Sequence, residues 1–171
     1  LPNHNGKVGI FGTCSGGRLT FLSACQKEGF DAAIECWGGS VVASGDDLTS
    51  TQPVTPIDFT DSLRCPLLLL FGNEAQAPTP EQVDQHEENL IAASKNYEFH
   101  RYDGAGHVFV YYHTHIYRQE QAFDGWNNIY AFLDNLILPN RINIFKKDRK
   151  EMYNQISTIG SYQDICITAF D

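Results

Sequence analysis

KVGIFGTCSGG, residues 7–17, is the stretch that decides the fold. Its apolar beginning predicts a strand at 7–12, and the glycines after it predict a sharp turn into a helix over 17–28. Cys14 stands at the apex, in the pattern glycine-x-nucleophile-x-glycine. A thiol in that position projects from the carboxyl end of a strand and the amino end of a helix, where the helix dipole favours the thiolate. The sequence therefore predicts Cys14 as a nucleophile.

The rest of the chain alternates strand and helix patterns. This order predicts an α/β fold, a parallel sheet with helices on both faces. The predicted elements are a strand at 31–37, a long connection at 40–64, a buried strand at 66–71, a helix capped by Thr79 with Pro80 and Gln82, a strand at 97–102, and a last helix that carries Trp126 and ends near Pro139.

Composition restricts the classes of function. The chain has 171 residues and a formal net charge of −9, which argues against a nucleic-acid or anionic-membrane partner. No apolar run approaches the roughly 18 residues of a membrane span. The five cysteines are odd in number and widely spaced, so we expect a reduced, cytoplasmic protein in which Cys25, Cys36 and Cys65 are buried core residues.

Several polar or aromatic residues follow the predicted strands directly. They are Cys14, Trp37, Asn73, Glu74 and His107. Because ligand sites in parallel sheets lie beyond the carboxyl ends of the strands, we expect these residues to converge on one site.

Four motifs in this order resemble the dienelactone hydrolase (carboxymethylenebutenolidase) family. They are GTCSGGR at 12–18, DAA at 31–33, LFGNE at 70–74 and YDGAGH at 102–107. The similarity covers roughly residues 6–138. It implies a partial α/β-hydrolase domain over 1–140 whose N-terminal strands are missing, followed by a tail or poorly ordered extension over 141–171. The chain is thus expected to be a fragment.

The resemblance also implies a function, the hydrolysis of small ester or lactone substrates without a cofactor. Cys14 would be the nucleophile and His107 the base, and the chemistry would pass through a thioacyl intermediate. The backbone N–H of Ser15 would stabilise the oxyanion, and Trp37 would contact the substrate. The oligomeric state is not predicted.

The acid of the triad is the point at which this sequence departs from the family. The family pattern places an aspartate at the position of Ala75. Glu74 is adjacent and could reach the imidazole, or it could be a solvated loop carboxylate. Asp103 is a further candidate, although aspartate there is typical of a turn.

Other observations leave alternatives open. Some family members have a substrate-binding arginine where this chain has Tyr111. The chain could instead be a truncated or decayed, non-catalytic hydrolase, or Cys14 could be a redox-sensing thiol. His113 and His115 could pair on a metal, but no third ligand is near in the sequence, so we predict no metal site.

Overall fold

The computed structural model describes residues 5–43, 45, 48–50 and 53–137, and the backbone alone of 165–167. The elements in chain order are β1 (Gly9–Thr13), α1 (Ser15–Gln26), β2 (Ala32–Cys36), a 3-10 helix (Pro56–Ser62), β3 (Leu67–Gly72), α2 (Pro80–Ala92), β4 (Tyr97–Tyr102), α3 (Gln119–Leu136) and β5 (Ile165–Ile167).

These strands form one parallel sheet in the order β4-β3-β2-β1-β5. Gly9 pairs with Ala32 in β2 and with Ile165 in β5. The sheet order and the intervening helices confirm the prediction of a parallel α/β architecture. Since all strands run in the same direction, the residues that follow β1, β2, β3 and β4 lie at the same end of the sheet, beyond the carboxyl ends of the strands. The candidate site was predicted at this end.

The helices cover both faces of the sheet, and β1 shows how its alternating residues separate them. Phe11 stacks on Trp126 of α3, with ring centroids 6.2 Å apart. Gly12 faces the opposite side, where a Cβ would lie 2.6 Å from Thr20 Oγ1 of α1. Successive side chains of a strand point to opposite faces, so α1 and α3 pack on different sides.

The core lies along β2 and β3, which are buried over their whole length. A continuous run of leucines in β3 is typical of a strand covered on both faces. Cys25, Cys36 and Cys65 are also buried, which confirms their prediction as core residues.

Two helix starts show how local sequence sets the boundaries. At α2, Thr79 Oγ1 accepts from the Gln82 N–H, and Gln82 Oε1 accepts from the Thr79 N–H at 2.9 Å, as its capping pattern predicts. The predicted start of α1 at Gly17 is two residues late. The helix begins at Ser15 because the backbone turns completely at Cys14.

The predicted tail over 141–171 lies outside the described residues except for the three of β5. Those three extend the sheet beyond β1, a pairing that the sequence does not predict because the region lacks periodicity. Among the described residues, none of the helices has the length and apolar content of a bilayer span.

Candidate active site

The turn between β1 and α1 holds Cys14 in a backbone conformation that residues other than glycine rarely adopt. Its φ is 54° and its ψ is −124°. The turn is tight, since a Cβ on Gly12 would lie 2.1 Å from the carbonyl oxygen of Gly16. The Cys14 N–H donates to the carbonyl oxygen of Cys36 at 3.0 Å. This strained geometry leaves the thiol exposed, as an attacking group requires.

The loop after β4 brings His107 to the thiol. His107 Nε2 lies 3.2 Å from Cys14 Sγ, although the two residues are 93 positions apart in the chain. Val108, the next residue, also has a positive φ of 54°. An imidazole within hydrogen-bond distance of a thiol can accept its proton.

The other ring nitrogen of His107 has no hydrogen-bond partner among the described residues, and it is buried. Burial lowers the pKa of His107 below its ordinary value of 6.5, and the Ala77 backbone opposes this shift to a smaller extent. Burial is the larger of these two effects. The imidazole is therefore neutral at pH 7 and able to act as a base.

An aromatic cluster stands beside the thiol. Trp37 is buried, and its ring meets Phe109 and Tyr111 edge-on, with centroids 5.3 and 6.4 Å away. The Tyr111 hydroxyl lies 3.4 Å from Thr13 Oγ1, and Thr13 precedes Cys14 in the chain. Trp37, the residue predicted to contact substrate, thus lies at the carboxyl end of the strands, packed against Phe109 and Tyr111.

Comparison with known proteins identifies the family. A sequence model described as "Dienelactone hydrolase family" matches residues 1–137. The chain belongs to the dienelactone hydrolase family.

Relatives and solved structures agree with this assignment. A "Putative carboxymethylenebutenolidase" of Methylorubrum extorquens is 34% identical over 123 residues, which are 72% of this chain and 41% of that protein. A protein of the same name in Escherichia coli strain K12 is 32% identical over 70% of this chain and 43% of its own length. The chain thus spans less than half the length of these relatives.

A crystal structure described as a "Putative Dienelactone Hydrolase" from Klebsiella pneumoniae superposes with a TM-score of 0.67 at 30% identity. The match covers 72% of this chain and 50% of that chain. Pyrococcus horikoshii acylaminoacyl peptidase superposes at 0.65 with 15% identity, over 86% of this chain and 26% of that one, and shares the fold alone. These matches show the α/β-hydrolase-like fold.

Within this member of the dienelactone hydrolase family, no carboxylate lies against His107 in the described part of the chain. Glu74 is exposed, and its backbone N–H donates to Ala105 O at 2.8 Å. Asp103 Oδ1 instead accepts from Asn73 Nδ2 at 2.6 Å. The structure therefore brings Cys14 and His107 together and leaves both candidate acids away from the imidazole.

The remaining predicted residues have simpler placements. Ser15 is the first residue of α1, so its N–H has no acceptor within the helix. His113 stacks on the ring of Tyr111. Among the described residues, no three His, Cys, Asp or Glu side chains form a group that could hold a metal ion.

One feature near the site was missed by the sequence reasoning. Glu35 lies in the middle of the buried strand β2 and contacts His86 of α2, with Oε2 3.2 Å from Nε2. A glutamate among the apolar residues of a buried strand is a signal that the sequence contains, because such a group needs a partner. Its partner, 51 positions away, has no sequence signature.

Proposed function

We propose that this chain hydrolyses ester or lactone bonds of small molecules through Cys14 and His107. The observation that carries the proposal is the 3.2 Å contact between Cys14 Sγ and His107 Nε2 at the strained turn. Membership of the dienelactone hydrolase family supports the choice of substrate class. Because the chain spans less than half of its relatives, activity and substrate are proposals for this chain.

In the first half-reaction, His107 Nε2 takes the thiol proton and Sγ forms a bond to the carbonyl carbon. The carbonyl oxygen becomes an oxyanion, for which the free N–H of Ser15 is the proposed donor. The intermediate then collapses, the carbon–oxygen bond to the leaving group breaks, and His107 returns the proton to the departing alcohol. A thioester on Cys14 remains.

In the second half-reaction, water attacks the thioester. His107 takes a proton from the water, the carbon–sulfur bond breaks, and the acid product leaves with the thiol restored. For a lactone, the alcohol and the acid belong to the same molecule, so ring opening gives a single hydroxy acid.

The test is the acyl-enzyme itself. We expect 4-nitrophenyl acetate to give a burst of nitrophenolate, and mass spectrometry to find one acetyl group on Cys14. Cys14→Ser should abolish the acetylated thiol, and His107→Gln should slow acylation about 10²-fold or more. His113→Gln is the matched control, because it removes an imidazole from the same loop without touching the thiol.

The competing interpretation is a non-catalytic hydrolase-fold chain, and the observation that favours it is that no carboxylate among the described residues hydrogen-bonds to His107. Under that reading the wild-type chain would give no burst, and Cys14→Ser would hydrolyse the ester at the wild-type rate.

A further inference from the structure

Glu35 and His86 form a buried acid–imidazole pair that the proposed reaction does not use. Glu35 is 0% exposed and His86 is 1% exposed. Burial raises the pKa of Glu35, and the contact with His86 opposes that rise. A carboxyl group removed from water is costly to the fold unless it is partnered, so its place in the central strand calls for an explanation.

The pair lies beneath the turn that carries the nucleophile. A Cβ on Gly38 would be 2.3 Å from Glu35 Oε1 and 2.9 Å from the backbone nitrogen of Arg18. Gly38 is therefore packed between the carboxyl group and the first turn of α1. A side chain at this position would separate the two.

The residues around Glu35 also hold the nucleophile's backbone. The Cys36 carbonyl oxygen accepts from the Cys14 N–H at 3.0 Å. A Cβ on Gly17 would lie 2.8 Å from that oxygen and 3.1 Å from the Gly38 Cα. The end of β2 and the two residues after it, from Glu35 to Gly38, thus pack against the turn that carries Cys14.

His86 holds the carboxyl group from the other side. Its ring is edge-on to Phe21 of α1 and Phe71 of β3, with centroids 4.7 and 6.5 Å away. Glu35 Oε1 and His86 Nδ1 have no further hydrogen-bond partner among the described residues. The carboxyl group is therefore fixed by one hydrogen bond and by packing, and its free oxygen faces Gly38.

We propose that Glu35 is a positioning residue for the nucleophile. Held by His86, its carboxyl group fixes the end of β2 against the first turn of α1, and this sets the direction in which the Cys14 thiol points toward His107. The inference rests on the proposed function, since it concerns the geometry of that same site.

The experiment compares Glu35→Ala, Glu35→Gln and His86→Leu in the 171-residue chain. Two rates are measured per folded molecule, acylation by 4-nitrophenyl acetate and alkylation of Cys14 by iodoacetamide from about pH 5 to about pH 9. The folded fraction is taken from urea unfolding. Thr60→Val is the matched control, because Thr60 is buried in the 3-10 helix and its hydroxyl donates to Ile57 O.

We expect Glu35→Ala to slow acylation about tenfold or more, as a small misplacement of a reacting group does, with little change in KM. Alkylation of Cys14 should slow as well, because a displaced thiol no longer meets the imidazole that accepts its proton. Glu35→Gln keeps the shape of the side chain and a hydrogen bond to His86. Both of its rates should therefore lie within about threefold of the wild-type rates. Thr60→Val should lose stability and keep both rates.

Unchanged acylation and alkylation in Glu35→Ala would overturn the inference. If Glu35→Ala does not fold, His86→Leu decides in the same assays, because leucine removes the hydrogen bond that holds the carboxyl group, and unchanged rates in that variant would overturn the inference. If the wild-type chain neither releases nitrophenolate faster than Cys14→Ser nor becomes acetylated on Cys14, the proposed function fails, while the alkylation rates still report whether Glu35 sets the thiol geometry.

Discussion

At the scale of single residues, His107 is at the centre of the candidate site, and only one of its two ring nitrogens has a hydrogen-bond partner among the described residues. Nε2 contacts the thiol, whereas Nδ1 is buried without a hydrogen-bond partner among the described residues. An imidazole that lacks an orienting carboxylate is held less firmly in the one tautomer that can take the proton of the thiol. Acylation in this chain should therefore be slower than a complete triad would allow.

This argument predicts that Ala75→Asp accelerates acylation. Ala75 is buried in the loop next to Glu74, whose carbonyl oxygen would lie 3.6 Å from a Cβ on Gly106, the residue before His107. A carboxylate there would orient the ring, and we expect burst rates about tenfold higher or more. The burst rate is measured as the release of nitrophenolate by stopped-flow absorbance.

Two variants control that prediction. Gln76→Asp adds the same charge at an exposed neighbouring position and should leave the rate within about threefold of wild type. Glu74→Gln tests the predicted acid directly. From its exposed position we expect a change of less than about threefold, and a tenfold loss would show that Glu74 reaches His107 during turnover.

The lowered pKa of His107 also predicts how stability depends on pH. Burial favours the neutral ring, so the unfolded chain binds the proton more readily than the folded chain. The contribution of His107 to the free energy of unfolding is therefore complete above the pKa of the unfolded chain, about 6.5. It is lost as the pH falls toward the lower pKa of the folded chain. Urea unfolding from about pH 7.5 to about pH 5.5 should show a smaller decrease for His107→Gln than for wild type. Equal decreases would contradict the assignment.

At the scale of elements, the turn from β1 into α1 depends on glycine. We expect Gly12→Ala to lower the free energy of unfolding by about 3 kcal/mol or more, since its Cβ would meet the backbone of Gly16 and neither can shift cheaply. Gly39→Ala is the matched control, because nothing lies within 4 Å of a Cβ there. Urea denaturation compares the two, and equal losses would argue against a crowded turn.

The sequence predicted these elements well where local chemistry sets them. The cap of α2 depends on Thr79 and Gln82, three residues apart, and the leucine run of β3 needs no partner to be recognised. β5 was not predicted, since three residues within a stretch without periodicity carry too little pattern. A strand of that kind is defined by its pairing with β1.

The site divides in the same way. Cys14 and His107 could be predicted because each lies in a motif that follows a strand. The contact between Glu35 and His86 joins strand β2 to helix α2 across the core, and no local pattern encodes it. The exposed direction of the Glu74 side chain depends on the path of its loop, which a sequence of turn residues does not determine.

At the scale of the whole molecule, β5 covers an edge of the sheet. Its backbone pairs with Gly9, Ile10 and Phe11 of β1. Removing residues 138–171 would leave the amides and carbonyls of that edge unpaired, and such an edge tends to pair with another chain.

We therefore predict that the chain ending at Ile137 self-associates more than the full chain. Sedimentation velocity at several concentrations measures this. A control chain that ends after Ile167 retains β5 and should behave as the full chain does. If the chain ending at Ile137 sediments as the full chain does at every concentration, β5 has no protective role at this edge.

The hydrogen bond from the Cys14 N–H to Cys36 O has a consequence for local motion. It places the amide of the reactive residue in the ladder between β1 and β2, so this amide can exchange its hydrogen with solvent deuterium only when those strands part. The exposed thiol is thus attached to backbone that opens as rarely as the core. Heat should then abolish acylation of Cys14 by the ester only when the sheet itself melts, without an earlier phase in which the turn alone has frayed.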